Sequence, residues 1–97
     1  MFFIKKKIDS DFYEITFFNL PIEINIKNKK LFSIYFLDGS FDNRISIYFE
    51  YKRNPELFEK YLVLLLKDLY YNYIKEGIIF HEFEEQIKKL INNHFGG

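Results

Sequence analysis

The sequence contains no cysteine among its 97 residues. Disulfide bonds, cysteine-ligated zinc, iron–sulfur clusters and thiol catalysis are therefore excluded for this chain. Tryptophan is absent too, and there are only four glycines and two prolines, so a glycine-rich loop that cradles phosphate has no basis in the sequence. The net charge is zero, from 14 basic and 14 acidic residues. A general attraction to nucleic acid or to lipid headgroups is therefore not expected.

Long apolar segments are also missing. The longest uninterrupted apolar run, residues 61–66, is six residues long, whereas a membrane-spanning helix needs roughly 20. The apolar residues 1–4 precede three lysines, which reverses the order found in a secretory signal. With 48% hydrophobic residues, the chain is predicted to be a single soluble, cytoplasmic domain over residues 1–97, since domains mostly run from about 50 to 250 residues.

The first half of the chain alternates apolar and polar residues with a period of two. The pattern is strictest where Ile22, Ile24 and Ile26 alternate with polar side chains, and it predicts a half-buried strand there. Turn-forming residues at 28–30 follow this strand, and another such cluster at 9–11 separates the first two predicted strands. The same alternation predicts four further strands, at residues 2–8, 12–18, 31–37 and 45–52.

The period changes near residue 54. Asn54, Pro55 and Glu56 are typical of a helix start: a capping side chain, a proline suited to the first position and an acid that complements the helix dipole. The first helix is predicted to end at residue 75 or 76, before Gly77. Apolar residues at spacings of three and four predict a second helix that begins between residues 78 and 83.

Strands followed by helices predict an α+β fold. The predicted architecture is an antiparallel meander of about five strands, with two C-terminal helices packed on one sheet face. The other sheet face is then polar with a few aromatic side chains, and it is the predicted binding surface. The residues predicted to bind a partner there are Glu23, Lys27, Tyr35, Tyr48, Glu50 and Lys52.

One enzymatic alternative uses Asp38 or Asp42 with Glu50 and Lys52. An acid followed by Glu-x-Lys on a later strand resembles the core of the PD-(D/E)xK nuclease superfamily. The resemblance spans residues 38–52, with Leu37 where the family has a proline. It implies a Mg²⁺ site held by Asp38 and Glu50, with Lys52 orienting a water. A pair of opposite charges on a solvated face accounts for the same residues without a metal.

A second alternative is a module that binds single-stranded nucleic acid. Such modules combine lysines with aromatic side chains, and the residues concerned are Lys5, Lys7, Lys27, Lys29, Lys30, Phe18, Tyr35 and Tyr48. Lysines also protect strand edges from aggregation, and this interpretation suits a chain with no net charge.

No catalytic or metal-binding set is complete in the sequence. His81 and Glu85 share a helix face, but a third ligand is lacking, so no metal or cofactor is expected. No serine is flanked by the glycines of a nucleophile elbow. We therefore expect a non-enzymatic inhibitor that binds a protein. Its size, composition and lack of cysteine resemble those of immunity proteins, which neutralise bacterial toxins by blocking the active cleft. A homodimer through the first helix is compatible, since Val63 interrupts its polar stripe.

Overall fold

The computed structural model describes residues 1–7, 9–36, 44–75 and 83–96. Within these residues the chain forms five β-strands followed by two α-helices, so the predicted α+β fold class is confirmed. The chain divides into two compact units, Met1–Tyr48 with the strands and Phe49–Gly97 with the helices.

The strands of the first unit form one antiparallel sheet. They are β1 (Phe2–Lys7), β2 (Phe12–Phe17), β3 (Ile22–Lys27), β4 (Leu31–Phe36) and β5 (Arg44–Tyr48). Their order in the sheet is β1-β2-β3-β4-β5, and each strand pairs with the next strand in sequence. The sheet is therefore the predicted meander.

One face of the sheet is apolar and buried. Ile15, Ile24, Ile34 and Ile45 lie opposite one another in a row across β2 to β5, and all four are inaccessible to solvent. Branched side chains suit a pleated surface because they pack against their cross-strand neighbours. The alternation in the sequence therefore identified the buried face of these strands correctly.

The turn between β3 and β4 contains an unfavourable backbone conformation. The Lys30 N–H donates to the Lys27 carbonyl at 3.0 Å, and the two residues between them, Asn28 and Lys29, have φ values of 54° and 52°. Asparagine tolerates this left-handed conformation well. The short polar side chain of asparagine can hydrogen-bond the local backbone, which compensates for crowding by its Cβ. Lysine lacks this compensation, so its Cβ crowds the backbone at a cost of about 1 kcal/mol.

Lys29→Gly is expected to raise the free energy of unfolding by about 0.5–1 kcal/mol, since glycine adopts positive φ without this cost. Chemical denaturation of the two proteins measures the difference. The matched control is Lys30→Gly, two positions from Asn28 in the same turn, where φ is not positive and glycine only loosens the unfolded chain. Equal effects of the two substitutions would contradict the explanation.

The helical unit begins as the sequence predicts. A 3₁₀ turn at Pro55–Leu57 leads into α1 (Phe58–Leu69), which continues as a turn of π-helix at Tyr70–Ile74, and α2 spans Glu84–Phe95. The Asn54 side chain accepts a hydrogen bond from the Glu56 N–H at 2.9 Å. Gly77 lies outside the described residues, as do residues 78–82, within the range where the sequence predicts that the second helix begins. No described helix is long and apolar enough to cross a membrane.

The fifth strand is shorter than predicted. It ends at Tyr48, so the prediction of a strand through residue 52 was wrong. Phe49 is buried, and its ring centroid lies 4.9 Å from that of Phe95 at the end of α2. The Lys52 N–H donates to the Phe95 carbonyl at 2.8 Å. The apolar alternation continues past Tyr48 because these residues contact α2, not because the strand continues.

Arg53 attaches the same segment to both helices. Its Nε donates to the His94 carbonyl at 2.6 Å and its Nη2 to the Asn93 carbonyl at 3.2 Å. Its guanidinium lies 4.6 Å from the centre of the Tyr61 ring. His94 in turn lies 2.6 Å from the Asp68 carboxylate, so α2 is joined to α1 by a polar contact as well as by apolar packing.

Candidate binding surface on the sheet

The strand pairing places a second set of side chains on the face of the sheet opposite the isoleucine row. We call these residues the open face: Phe3, Lys5, Lys7, Phe12, Glu14, Thr16, Glu23, Asn25, Lys27, Leu31, Ser33, Tyr35, Arg44, Ser46 and Tyr48. All of them are exposed or half-buried except Ser33. The face is polar with a few aromatic side chains, as the alternation predicts.

Short side chains form a trough across the middle of β3, β4 and β5. Asn25, Ser33 and Ser46 lie opposite one another, and the two serine hydroxyls are 3.4 Å apart. Ser33 is only 4% exposed although it faces away from the isoleucine row. Its neighbours along the strand on the same face, Leu31 and Tyr35, are much longer, so the trough has raised sides.

A tyrosine stands on each side of this trough. Tyr48 belongs to the row on one side and is 76% exposed. Tyr35 belongs to the row on the other side and is half-buried, with the Arg44 guanidinium 5.9 Å from the centre of its ring. Tyrosine offers a large apolar ring with a polar end and few rotatable bonds, which suits it to protein interfaces.

Two neighbouring carboxyl groups lie on inner strands of the open face, Glu14 on β2 and Glu23 on β3. Partial burial raises the pKa of Glu23, and the nearby Glu14 raises it further through charge repulsion and a shared hydrogen bond. The cations on this face lie toward its margins, at Lys5, Lys7 and Arg44 on the edge strands and at Lys27 at one end of β3. The two acids therefore lie on inner strands of the open face, and three of its four cations lie on the edge strands.

The raised pKa of Glu23 makes stability depend on pH. The folded chain holds the Glu23 proton more tightly than the unfolded chain. The stabilisation of the folded state by this proton is therefore fully present below pH 4.5, and it is lost as the pH rises through the raised pKa. Glu23→Gln is expected to be more stable than the parent protein at pH 7, with the difference shrinking below pH 4.5. Thermal unfolding between pH 4 and 7 measures this. An equal difference in stability at pH 4 and at pH 7 would contradict this expectation.

Four of the six predicted partner-binding residues lie together on the open face: Glu23, Lys27, Tyr35 and Tyr48. Glu50 and Lys52 do not belong to the sheet, because β5 ends before them. Both are exposed, and the Lys52 Nζ lies 3.9 Å from the Glu50 carboxylate. The prediction that all six share one sheet face was therefore wrong for this pair.

The strand geometry behind the nuclease resemblance is also absent. Glu50 and Lys52 lie in an irregular segment rather than on a strand. Asp38 and Asp42 lie outside the described residues, as does His81. Among residues 1–7, 9–36, 44–75 and 83–96, no group of three or more histidine, aspartate and glutamate side chains is arranged to hold a metal ion.

Several open-face residues were missing from the predicted surface. Phe3 and Phe12 add aromatic rings to the open face, and Arg44 adds a cation. Their alternation was visible in the sequence, but the strand register decides which residues of the neighbouring strands lie beside them. Comparison with protein-family models, curated proteins and solved structures gave no match to this chain.

Proposed function

We propose that this chain is a non-enzymatic, cytoplasmic inhibitor that binds a protein through the open face of its sheet. The partner is a toxin or effector domain whose active cleft the open face blocks, as immunity proteins do. The observation that carries the proposal is the trough of Asn25, Ser33 and Ser46 with an accessible tyrosine on each side. An exposed Tyr48 next to a recessed strip of short side chains is typical of an interface anchor.

A sheet is well suited to this role because it is rigid. Each strand that contributes to the open face is hydrogen-bonded to its neighbours, and the opposite side chains of β2 to β5 are largely buried. The side chains of a preorganised surface lose less freedom when a partner binds, so more of the contact energy appears as affinity. Tyr35 is further restrained by the neighbouring Arg44 guanidinium.

The charge pattern supports a protein partner over a nucleic acid. Glu14 and Glu23 lie on the inner strands β2 and β3, where a chain of phosphates crossing the strands would pass them. Like charges that meet across an interface suppress binding. A cleft that binds an anionic substrate is itself basic, and its charge is complementary to the two acids on the inner strands. Acidic residues around such a cleft match the cations at Lys7, Lys27 and Arg44.

Capture followed by an inhibition assay tests this function. The tagged chain is expected to recover one stoichiometric protein from a lysate of its native host. The purified partner is then expected to have an enzymatic or toxic activity that an equimolar amount of this chain abolishes. Recovery of a partner whose activity the chain leaves unchanged would contradict inhibition. Mg²⁺-dependent cleavage of DNA or RNA by the chain itself, lost in Glu50→Gln, would contradict a non-enzymatic role.

A further inference from the structure

A recess of about 230 Å³ lies at one end of the sheet. The turn between β1 and β2 and the turn after β3 meet there, since the Asn28 N–H donates to the Asp11 carbonyl at 2.7 Å. The recess belongs entirely to the first unit. It is lined by Lys7, Ser10, Asp11, Phe12, Lys27 and Asn28.

Two lysines flank an aromatic ring in this recess. Lys7 is paired with Phe12 across β1 and β2, and Phe12 is paired with Lys27 across β2 and β3. Adjacent strands lie about 4.8 Å apart, so Phe12 separates the two lysines on the same face. The Lys7 ammonium lies 5.1 Å from the centre of the Phe12 ring, which keeps its charge over the recess.

The positive charge of the recess is only partly neutralised. In the described part of the chain, neither Lys7 nor Lys27 has a carboxylate within ion-pair distance. Among the described residues that line the recess, Asp11 is the one acid, against two lysines. Ser10, whose side chain carries a hydroxyl donor, also lines the recess. The recess therefore combines an apolar floor, excess positive charge and a donor, which together suit a small anionic group with an alkyl stem.

We propose that this recess binds one carboxylate side chain of the protein partner. The inference rests on the proposed function, because it assigns one contact of the partner at the margin of the open face. A single carboxylate fits better than a nucleic acid strand. The next open-face residue on β2 after Phe12 is Glu14, which repels a polyanion that continues along the face.

A titration followed by nuclear magnetic resonance tests this assignment on the whole chain. The probes are N-acetylated tetraglutamate, tetraglutamine, inorganic phosphate and a ten-residue oligothymidylate. Tetraglutamate is expected to shift the amide signals of Ser10, Phe12 and Asn28 saturably, and tetraglutamine is expected to leave them unchanged. Each of Lys7→Gln and Lys27→Gln is expected to weaken binding about threefold, because each removes one exposed charge contact. Lys60→Gln, on the exposed surface of α1, is the matched control.

Three results would overturn the assignment. These are equal shifts with tetraglutamine, unchanged affinity in the Lys7→Gln, Lys27→Gln double variant, and tighter binding of oligothymidylate or phosphate at the same amides. The experiment uses no partner protein, so its outcome is separate from that of the proposed function. Tetraglutamate could bind the recess while substitution of Tyr35 and Tyr48 leaves the affinity for the partner unchanged. That result would contradict docking through the open face and would still support the carboxylate site.

Discussion

Phe95→Ala is expected to lower the free energy of unfolding by about 3–5 kcal/mol, the usual cost of removing a large buried ring. Phe95 is inaccessible to solvent. Its ring centroid lies 4.9 Å from that of Phe49, 5.1 Å from that of Phe58 and 5.6 Å from that of Tyr51. Alanine would leave a cavity where the segment after β5, α1 and α2 meet, and it would remove ring contacts to Phe49, Tyr51 and Phe58 at once.

This loss is a large share of the stability of a small domain, which is typically 5–15 kcal/mol. Denaturation monitored by circular dichroism measures it. Phe18→Ala is the matched control, since Phe18 is 53% exposed and its ring contacts the exposed Phe3. We expect that substitution to cost less than about 1 kcal/mol. A loss of similar size at both positions would contradict the assignment of Phe95 to the centre of the helical unit.

The double substitution Tyr35→Ala, Tyr48→Ala is expected to weaken partner binding at least about a hundredfold. Truncation of one interface anchor typically costs 2 kcal/mol or more, about thirtyfold in affinity, although the effects of neighbouring residues are not strictly additive. The fold is expected to survive, because both residues are on the open face and neither belongs to the buried isoleucine row. Calorimetric titration of the purified partner measures the affinity.

Tyr71→Ala is the control for this result. Tyr71 is as accessible as an interface residue, at 60% exposed, but it lies in the helical unit. We expect its substitution to change the affinity less than about twofold, since exposed side chains away from an interface contribute little. Equal losses for the Tyr71 variant and the double variant would show that the open face has no special role in docking.

The architecture was predictable from the sequence because its signals are local. Alternation of Ile22, Ile24 and Ile26 with polar residues marks a strand with one buried face. Asn54 and Pro55 mark the start of the helical unit, and the Asn54 cap is present at 2.9 Å from the Glu56 nitrogen. Each of these features depends on residues that are only a few positions apart in the sequence, so a single sequence is sufficient to predict them.

The remaining features depend on contacts that are distant in sequence. β5 ends at Tyr48 although alternation continues, because the burial of Phe49 comes from Phe95, far along the chain. Glu14 and Glu23 lie close together because of the register between β2 and β3, which the alternation does not specify. Lys29 adopts positive φ without the glycine that usually signals it. For these reasons the predicted surface included Glu50 and Lys52 and omitted Lys7, Phe12 and Arg44.

Site-specific photocrosslinking tests docking through the open face most directly. Tyr48→p-benzoylphenylalanine places a photoreactive ring beside the trough, and Tyr71→p-benzoylphenylalanine places the same ring on the helical unit. Irradiation of the native host expressing each variant is expected to give an adduct with the partner from position 48 and none with it from position 71. An adduct with the partner from position 71 alone would mean that the helical unit, and not the sheet, is the docking surface.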